Sequence, residues 1–175
     1  MSETLNTSKN EVANEITYRQ ATAADGVAVW QTVQQAGTLE VNTAYFYLIF
    51  CTDFSDTCLI AEHEDQIIGV VVGYHPPREP DTAFCWQIGV LPAWQGHGLG
   101  KRMLTAWLDL PANHKVKWLT ATVAEDNAAS DRLFRGFARH KRVACSVEPH
   151  FTQALLQPGH QPEPLYRIGP IHSVR

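Results

Sequence analysis

Between Leu91 and Leu104 the chain reads LPAWQGHGLGKRML, with Gly96, Gly98 and Gly100 at alternate positions between an apolar run and a helix-like run. A glycine inside a helix costs about 1 kcal/mol against alanine. Close approach of the backbone to a ligand compensates that cost, and a helix N-terminus favours an anion. Two nucleotide-binding patterns fail here. A P-loop needs glycine where Gln95 stands and Ser or Thr where Arg102 stands. A dinucleotide fingerprint needs glycine where Lys101 stands. What remains is a Gln-x-x-Gly-x-Gly loop opening a helix. A second chemical group lies near the C-terminus, where GHQPEPLY carries His160 and Glu163 between prolines. A carboxylate and an imidazole there suit proton transfer or substrate contact. The prolines exclude the helix on which a three-residue spacing would make them a metal pair. No other His or Cys spacing suggests a metal, and none is expected.

The elements that must carry these residues follow from hydrophobic pattern and turn chemistry. Ile16 to Arg19 is a short strand. Thr22 and Asp25 open a helix bearing Val29, Trp30 and Val33, which Gly37 ends. The stretch NTAYFYLIFCTDF is apolar on nearly every side and predicts a short helix, or a pair, lining a pocket, with Asn42 or Thr43 as cap. Cys58 to Glu62 and Ile67 to Tyr74 are strands joined by an acidic turn; the second, apolar throughout, is central. HPPREPD is a loop because its prolines cannot sit inside a sheet. Ala83 to Val90 is a strand on which Phe84, Trp86, Ile88 and Val90 are expected to share a face. Leu99, Met103, Trp107 and Leu110 mark a helix that Pro111 stops. Val116 to Val123 is a strand, and EDNAASDRLFRGFARH is a helix capped by Asn127. KRVACSV and PLYRIGP complete an α/β or α+β domain as strands.

The 175 residues suit one domain, expected over residues 16–170 with a disordered arm at 1–15 and a tail at 171–175. A net charge of −4 disfavours general nucleic-acid binding. No apolar run reaches membrane-span length, and the polar N-terminus lacks a signal-peptide core. The scattered Cys51, Cys58, Cys85 and Cys145 read as reduced thiols of a cytoplasmic protein.

The glycine loop and Asn127-x-x-Ser130-x-x-Leu133-Phe134 together resemble the GCN5-related N-acetyltransferase (GNAT) family. The resemblance implies a mixed, mostly antiparallel sheet of about seven strands with about four helices, and acetyl-CoA as cosubstrate. It places the pyrophosphate on the amides of Gln95, Gly96, His97, Gly98, Leu99, Gly100 and Lys101, with further contacts from Asn127, Ser130 and Phe134. Phe134 replaces a tyrosine that in many members protonates the departing thiolate; Tyr45, Tyr47 and Tyr166 are candidate substitutes. GTLEVNTAYFYL, YHPPREPDTAFCWQIGV and LYRIGP extend the resemblance to the diaminobutyrate acetyltransferases of ectoine biosynthesis, over nearly all of Ile16 to Pro170. That family acetylates the 4-amino group of L-2,4-diaminobutyrate and usually forms homodimers.

Such a transfer sets its own requirements. An alkyl ammonium, with a pKa near ~10, must lose a proton before it attacks. The thioester oxygen then gains charge, which strand N–H groups at Ile88, Gly89 or Val90 can stabilise. Direct transfer in a ternary complex needs no covalent enzyme intermediate. Holding the 2-ammonium and carboxylate away from the thioester calls for acids: Glu40, Asp53, Asp81 and Glu163 are the candidates. Glu163, His160 and Trp86 are the expected catalytic residues, with Glu40, Asn42 and Tyr45 around the acceptor. Arg78 is expected to pin its own loop through Glu79 or Asp81, the alternative being a pairing with the substrate carboxylate. The competing expectations are an acetyltransferase for another amine and a catalytically silent acetyl-CoA-binding module.

Overall fold

The computed structural model describes residues 15–171, so the expected arm and tail lie outside the described residues apart from Glu15 and Ile171. Among the described residues the strands are β1 (Thr17–Gln20), β2 (Cys58–His63), β3 (Gln66–Tyr74), β4 (Thr82–Val90), β5 (Trp118–Thr122), β6 (Ala144–Phe151) and β7 (Glu163–Gly169). The α-helices are α1 (Gly26–Ala36), α2 (Ala44–Asp53), α3 (Leu99–Leu108) and α4 (Ala128–Lys141). The strands form one sheet in the order β1-β2-β3-β4-β5-β7-β6. Every neighbouring pair is antiparallel except β4 and β5, which run parallel.

The apolar run of β3 is buried from Ile68 to Gly73, as a strand covered on both faces must be. Leu59, Ala61 and Val71 face α3 and α4, where they meet Leu99, Met103, Trp107, Phe134 and Phe137. Cys58, Ile60, Val70 and Val72 face α1 and α2 and pack with Val29, Val33, Tyr47, Phe50 and Cys51. The helix α3 ends at Leu108, and Pro111 opens a single 3-10 turn that keeps Leu110 buried. NTAYFYLIFCTDF makes one helix, and its cap is Thr43, whose Oγ1 accepts the Phe46 N–H at 3.3 Å. Thr22 gives its N–H (2.7 Å) and its hydroxyl (2.9 Å) to Asp25 Oδ2 where α1 is approached. The four cysteines are free. Burial pushes the thiols of Cys58 and Cys85 up to about 12 and that of Cys51 up to about 11.

The strand β4 corrects the expectation that Phe84, Trp86, Ile88 and Val90 share a face. Cys85 pairs with Gly73 and Gln87 with Val72, which leaves Trp86 as the extra residue of a β-bulge. The alternation changes step there. Ala83, Cys85, Ile88 and Val90 pack toward α3 and α4. Phe84 meets Tyr74, Trp86 meets Phe46, and Gln87 meets Tyr47, all on the α1/α2 face.

Candidate active site

The site is built on the place where β4 and β5 part. They pair only through Thr82, Ala83 and Phe84 opposite Trp118, Leu119 and Thr120. Beyond Phe84 the second side of β4 is open. Leu91 donates its N–H to Ile68 O at 2.9 Å, so antiparallel alternation sends the N–H of Gly89 to β3 and turns those of Ile88 and Val90 into the opening. Of the three residues expected to supply an oxyanion donor, Ile88 and Val90 are therefore aimed correctly and Gly89 is not.

On the α3/α4 face the glycine loop meets this opening. Gly96 and Gly98 have φ of 77° and 73°, the left-handed region in which a Cβ is strained. A Cβ at either would have nothing within 4 Å, so backbone conformation and open space, not crowding, select glycine here. The first helical bond runs from the Arg102 N–H to Gly98 O at 3.3 Å. Among the described residues no acceptor takes the N–H groups of Gly96, His97, Gly98, Leu99, Gly100 and Lys101. A run of unpartnered donors at a helix N-terminus is an anion cradle. His97 and Lys101 are exposed beside it. Side chains expected at the cofactor behave differently. Leu99 is fully buried in the core and leaves only its N–H to a ligand. Gln95 Nε2 donates to Val90 O (2.9 Å) and Ala36 O (3.4 Å), tying the loop to β4 and to the end of α1. A Cβ on Gly100 would lie 3.1 Å from Leu133 Cδ1, so this glycine lets α3 approach α4.

Asn127 caps α4: its Oδ1 accepts the Ser130 N–H at 3.0 Å. Phe134 is a buried core residue whose ring centroid lies 6.3 Å from that of Tyr166. Tyr166 donates its hydroxyl to Asp131 Oδ1 at 2.6 Å, and Arg135 Nε donates to the same oxygen at 2.7 Å. Burial, and then the neighbouring carboxylate, raise the Tyr166 phenol above its ordinary value. The Tyr166 hydrogen bond, with Arg135 beside it, lowers the carboxyl of Asp131. Of the three substitute tyrosines, Tyr166 is thus on the α3/α4 face next to Phe134. Tyr45 is 70% exposed, and Tyr47 is enclosed on the opposite face.

The α1/α2 face holds the acceptor candidates. Trp86 is 44% exposed, and its ring meets those of Phe46 and Phe50 edge-on at 5.0 and 5.7 Å. Each such pair is worth about 0.5–1.5 kcal/mol beyond the area it buries. Across the opening, Thr122 lies two residues beyond Thr120 just as Trp86 lies two beyond Phe84. Leu119, Ala121 and Val123 face α4, so Thr122 turns to the Trp86 side. Its Oγ1 donates to Glu163 Oε2 at 2.8 Å, which fixes the carboxylate at the rim of the opening. His160 is half-buried in the approach to β7, with Nε2 2.8 Å from Gln157 Nε2. The loop 38–43 crosses the same face: Gln87 Nε2 donates to Glu40 O at 2.7 Å, and the Asn42 N–H reaches Tyr47 Oη at 3.3 Å.

Other expectations fall away from the opening. Asp81 pairs with Lys117 at 3.9 Å by the closed end of β4, and Asp53 is exposed at the end of α2. Glu79 pairs with Arg167 at 2.9 Å, and among the described residues Arg78 forms no ion pair. Arg78 therefore does not pin its loop through either acid. Sequence reasoning missed Thr122, Asp131 and the buried partnership of Gln87 with Tyr47. A glutamine inside an otherwise apolar strand was the available signal for the last.

An open seam between parallel strands, with a glycine-rich anion cradle on one face, matches a known family: the model of the acetyltransferase (GNAT) family fits residues 27–137. The chain belongs to the GNAT family. An L-2,4-diaminobutyric acid acetyltransferase of Shouchella clausii is 36% identical over 94% of this chain and 98% of its own length. EctA, a diaminobutyrate acetyltransferase from Paenibacillus lautus solved with its substrate L-2,4-diaminobutyric acid and coenzyme A, is 38% identical. Its TM-score is 0.85 over 90% of this chain and 96% of that one. YncA of Salmonella typhimurium, solved with acetyl-CoA, shares the fold at a TM-score of 0.68 and 18% identity, over 92% of this chain and 97% of that one.

Proposed function

We propose that this protein transfers the acetyl group of acetyl-CoA to the 4-amino group of L-2,4-diaminobutyrate. The two-sided opening between β4 and β5 carries the reading, in a chain 38% identical to an enzyme solved with that substrate and coenzyme A. The thioester supplies an activated acyl carbon. The unpartnered amides from Gly96 to Lys101 hold the pyrophosphate, and Asn127, Ser130 and the Phe134 ring border the cofactor. Ile88 and Val90 offer their N–H groups along the arm, where one of them meets the thioester oxygen as it gains charge.

The amine arrives from the α1/α2 face. Glu163, held by Thr122, accepts the ammonium proton directly or through one water, with His160 behind it. The C–N bond then forms as the C–S bond breaks, in one ternary complex with no acyl-enzyme. As the amide forms its nitrogen sheds a second proton to water, and the thiolate takes one from water or from Tyr166. Glu40, Asn42, Tyr45 and Trp86 wall the acceptor and keep its 2-ammonium and carboxylate from the acyl carbon. The product is N4-acetyl-L-2,4-diaminobutyrate, a precursor of the compatible solute ectoine under osmotic stress.

The chain works in the cytoplasm, where acetyl-CoA is made; no helix among the described residues is long and apolar enough to cross a membrane. Exposed Phe151 and Leu155, beside the open edge of β6, support a homodimer. An amine panel with acetyl-CoA, read by thiol release and by NMR of the product, tests the function. Diaminobutyrate is expected to be preferred and to carry the acetyl group on N4. Preference for another amine, or acetylation at N2, would overturn the proposal.

A further inference from the structure

We infer that Gln87 and Tyr47 are positioning residues that fix the loop 38–43 over the opening and thereby set the acceptor pocket. Both side chains are buried, Tyr47 at 0% and Gln87 at 5% exposure, among apolar residues of the α1/α2 face. Buried polar groups cost desolvation, and an apolar pair of the same volume would fill this core without that cost. Their polar atoms bond to each other and to the backbone of one loop. Tyr47 donates to Gln87 Oε1 at 3.0 Å, Gln87 Nε2 donates to Glu40 O at 2.7 Å, and Tyr47 Oη accepts the Asn42 N–H at 3.3 Å. A third point of attachment is apolar: a Cβ on Gly89 would lie 3.0 Å from Leu39 Cδ1 and 3.5 Å from Ala36 Cβ, so the glycine leaves room for Leu39 of the loop to pack closely against β4.

The position of this clasp gives it its role. Gln87 directly follows the bulged Trp86, and the bulge is what turns both side chains to the α1/α2 face. The loop it holds carries Glu40 and Asn42, while the cofactor cradle lies on the other face. The clasp therefore acts on the amine and not on the coenzyme. This inference rests on the reading of the α1/α2 face as the acceptor side.

The full-length protein tests it through Tyr47→Phe, Gln87→Met and Gln87→Glu. In Tyr47→Phe and Gln87→Met the KM for the acceptor amine is expected to rise about tenfold, the equivalent of one buried hydrogen bond. The KM for acetyl-CoA is expected to stay within about twofold, and exchange of the Asn42 amide to quicken in Tyr47→Phe. Gln87→Glu keeps an acceptor for Tyr47 and loses the donor to Glu40 O, so it should fall between wild type and Gln87→Met. Equal rises for both substrates, or faster exchange with an unchanged acceptor KM, would overturn the inference. Tyr47→Phe keeps the packed ring and serves if Gln87→Met fails to fold. The kinetics use whichever amine the wild-type enzyme acetylates. Failure of diaminobutyrate then counts against the proposed function, and the clasp is still judged by its own split.

Discussion

The two faces of the opening are made of different material. On the α3/α4 side the groups left open are backbone amides, and the side chains around them are largely engaged elsewhere: Leu99 in the core, Gln95 on β4 and α1, Asn127 on its own helix. On the α1/α2 side the groups at the opening are side chains, and the loop backbone beside them is held by other side chains. Peptide groups recognise what every acyl-CoA shares, a diphosphate and an amide-bearing arm. Side chains are what can change between acceptors. A structure only 18% identical shares the overall fold. The α1/α2 side is where this chain and its diaminobutyrate-acetylating relatives have to agree.

Substitutions can break that contrast. The largest effect is expected at Glu163. Glu163→Gln keeps the Thr122 contact and removes the base, so kcat should fall about 10²- to 10⁴-fold while calorimetric affinity for coenzyme A holds. Gly98→Val places a β-branched residue at φ 73°, which costs about 1–2 kcal/mol or more. The loop is expected to shift and coenzyme A binding to weaken about tenfold or more, with the melting temperature showing a folded protein. Trp86→Ala should raise the acceptor KM about tenfold through the lost ring contacts and leave acetyl-CoA unaffected. Lys101→Ala should weaken coenzyme A only about two- to fivefold, and less at high salt, because an exposed charge adds little to a cradle made of amides. A Lys101 effect as large as that of Gly98 would sink the backbone account.

A last substitution lies outside both faces and calibrates the rest. Arg19 bonds the Asp25 carboxylate at 2.8 Å and, with burial opposing it, lowers the pKa from 3.8 to about 2. A depressed folded-state value stabilises the protein above the unfolded pKa, and that support is lost as pH falls from about 4 toward about 2. Asp25→Ala should cost about 1 kcal/mol at neutral pH, with the gap to wild type closing over that acid range in denaturant titrations.

Much of the fold was legible because its signals are local. The apolar run of β3, the Leu99–Met103–Trp107 stripe and the Asn127 cap each arise within a few residues, whereas the helix expected to be capped by Thr22 begins after Asp25, with a 3-10 turn between. The glycine loop was legible for the same reason: its φ angles and its amides belong to consecutive positions. The acceptor side was harder. Glu163 stands out among prolines, but that it bonds Thr122 depends on β7 pairing with β5 across forty intervening residues. Tyr45, Tyr47 and Tyr166 could not be told apart as proton donors from the sequence; the Tyr47 hydroxyl is held by Gln87, forty residues on, and by the Asn42 amide. Phe84 and Trp86 were assigned the face of Ile88 and Val90 because a period of two carries no mark of an inserted residue.

That inserted residue has an evolutionary consequence. Exchanging one side chain for another leaves the count of peptide units between Cys85 and Gln87 unchanged. Only loss or gain of a codon would restore even spacing; loss of Trp86 would leave Cys85, Gln87 and Ile88 facing as they do and would take one aromatic ring from the α1/α2 face in a single step. Drift by single replacements can retune which amine is accepted, yet it cannot gradually erase an arrangement in which two neighbouring side chains point the same way.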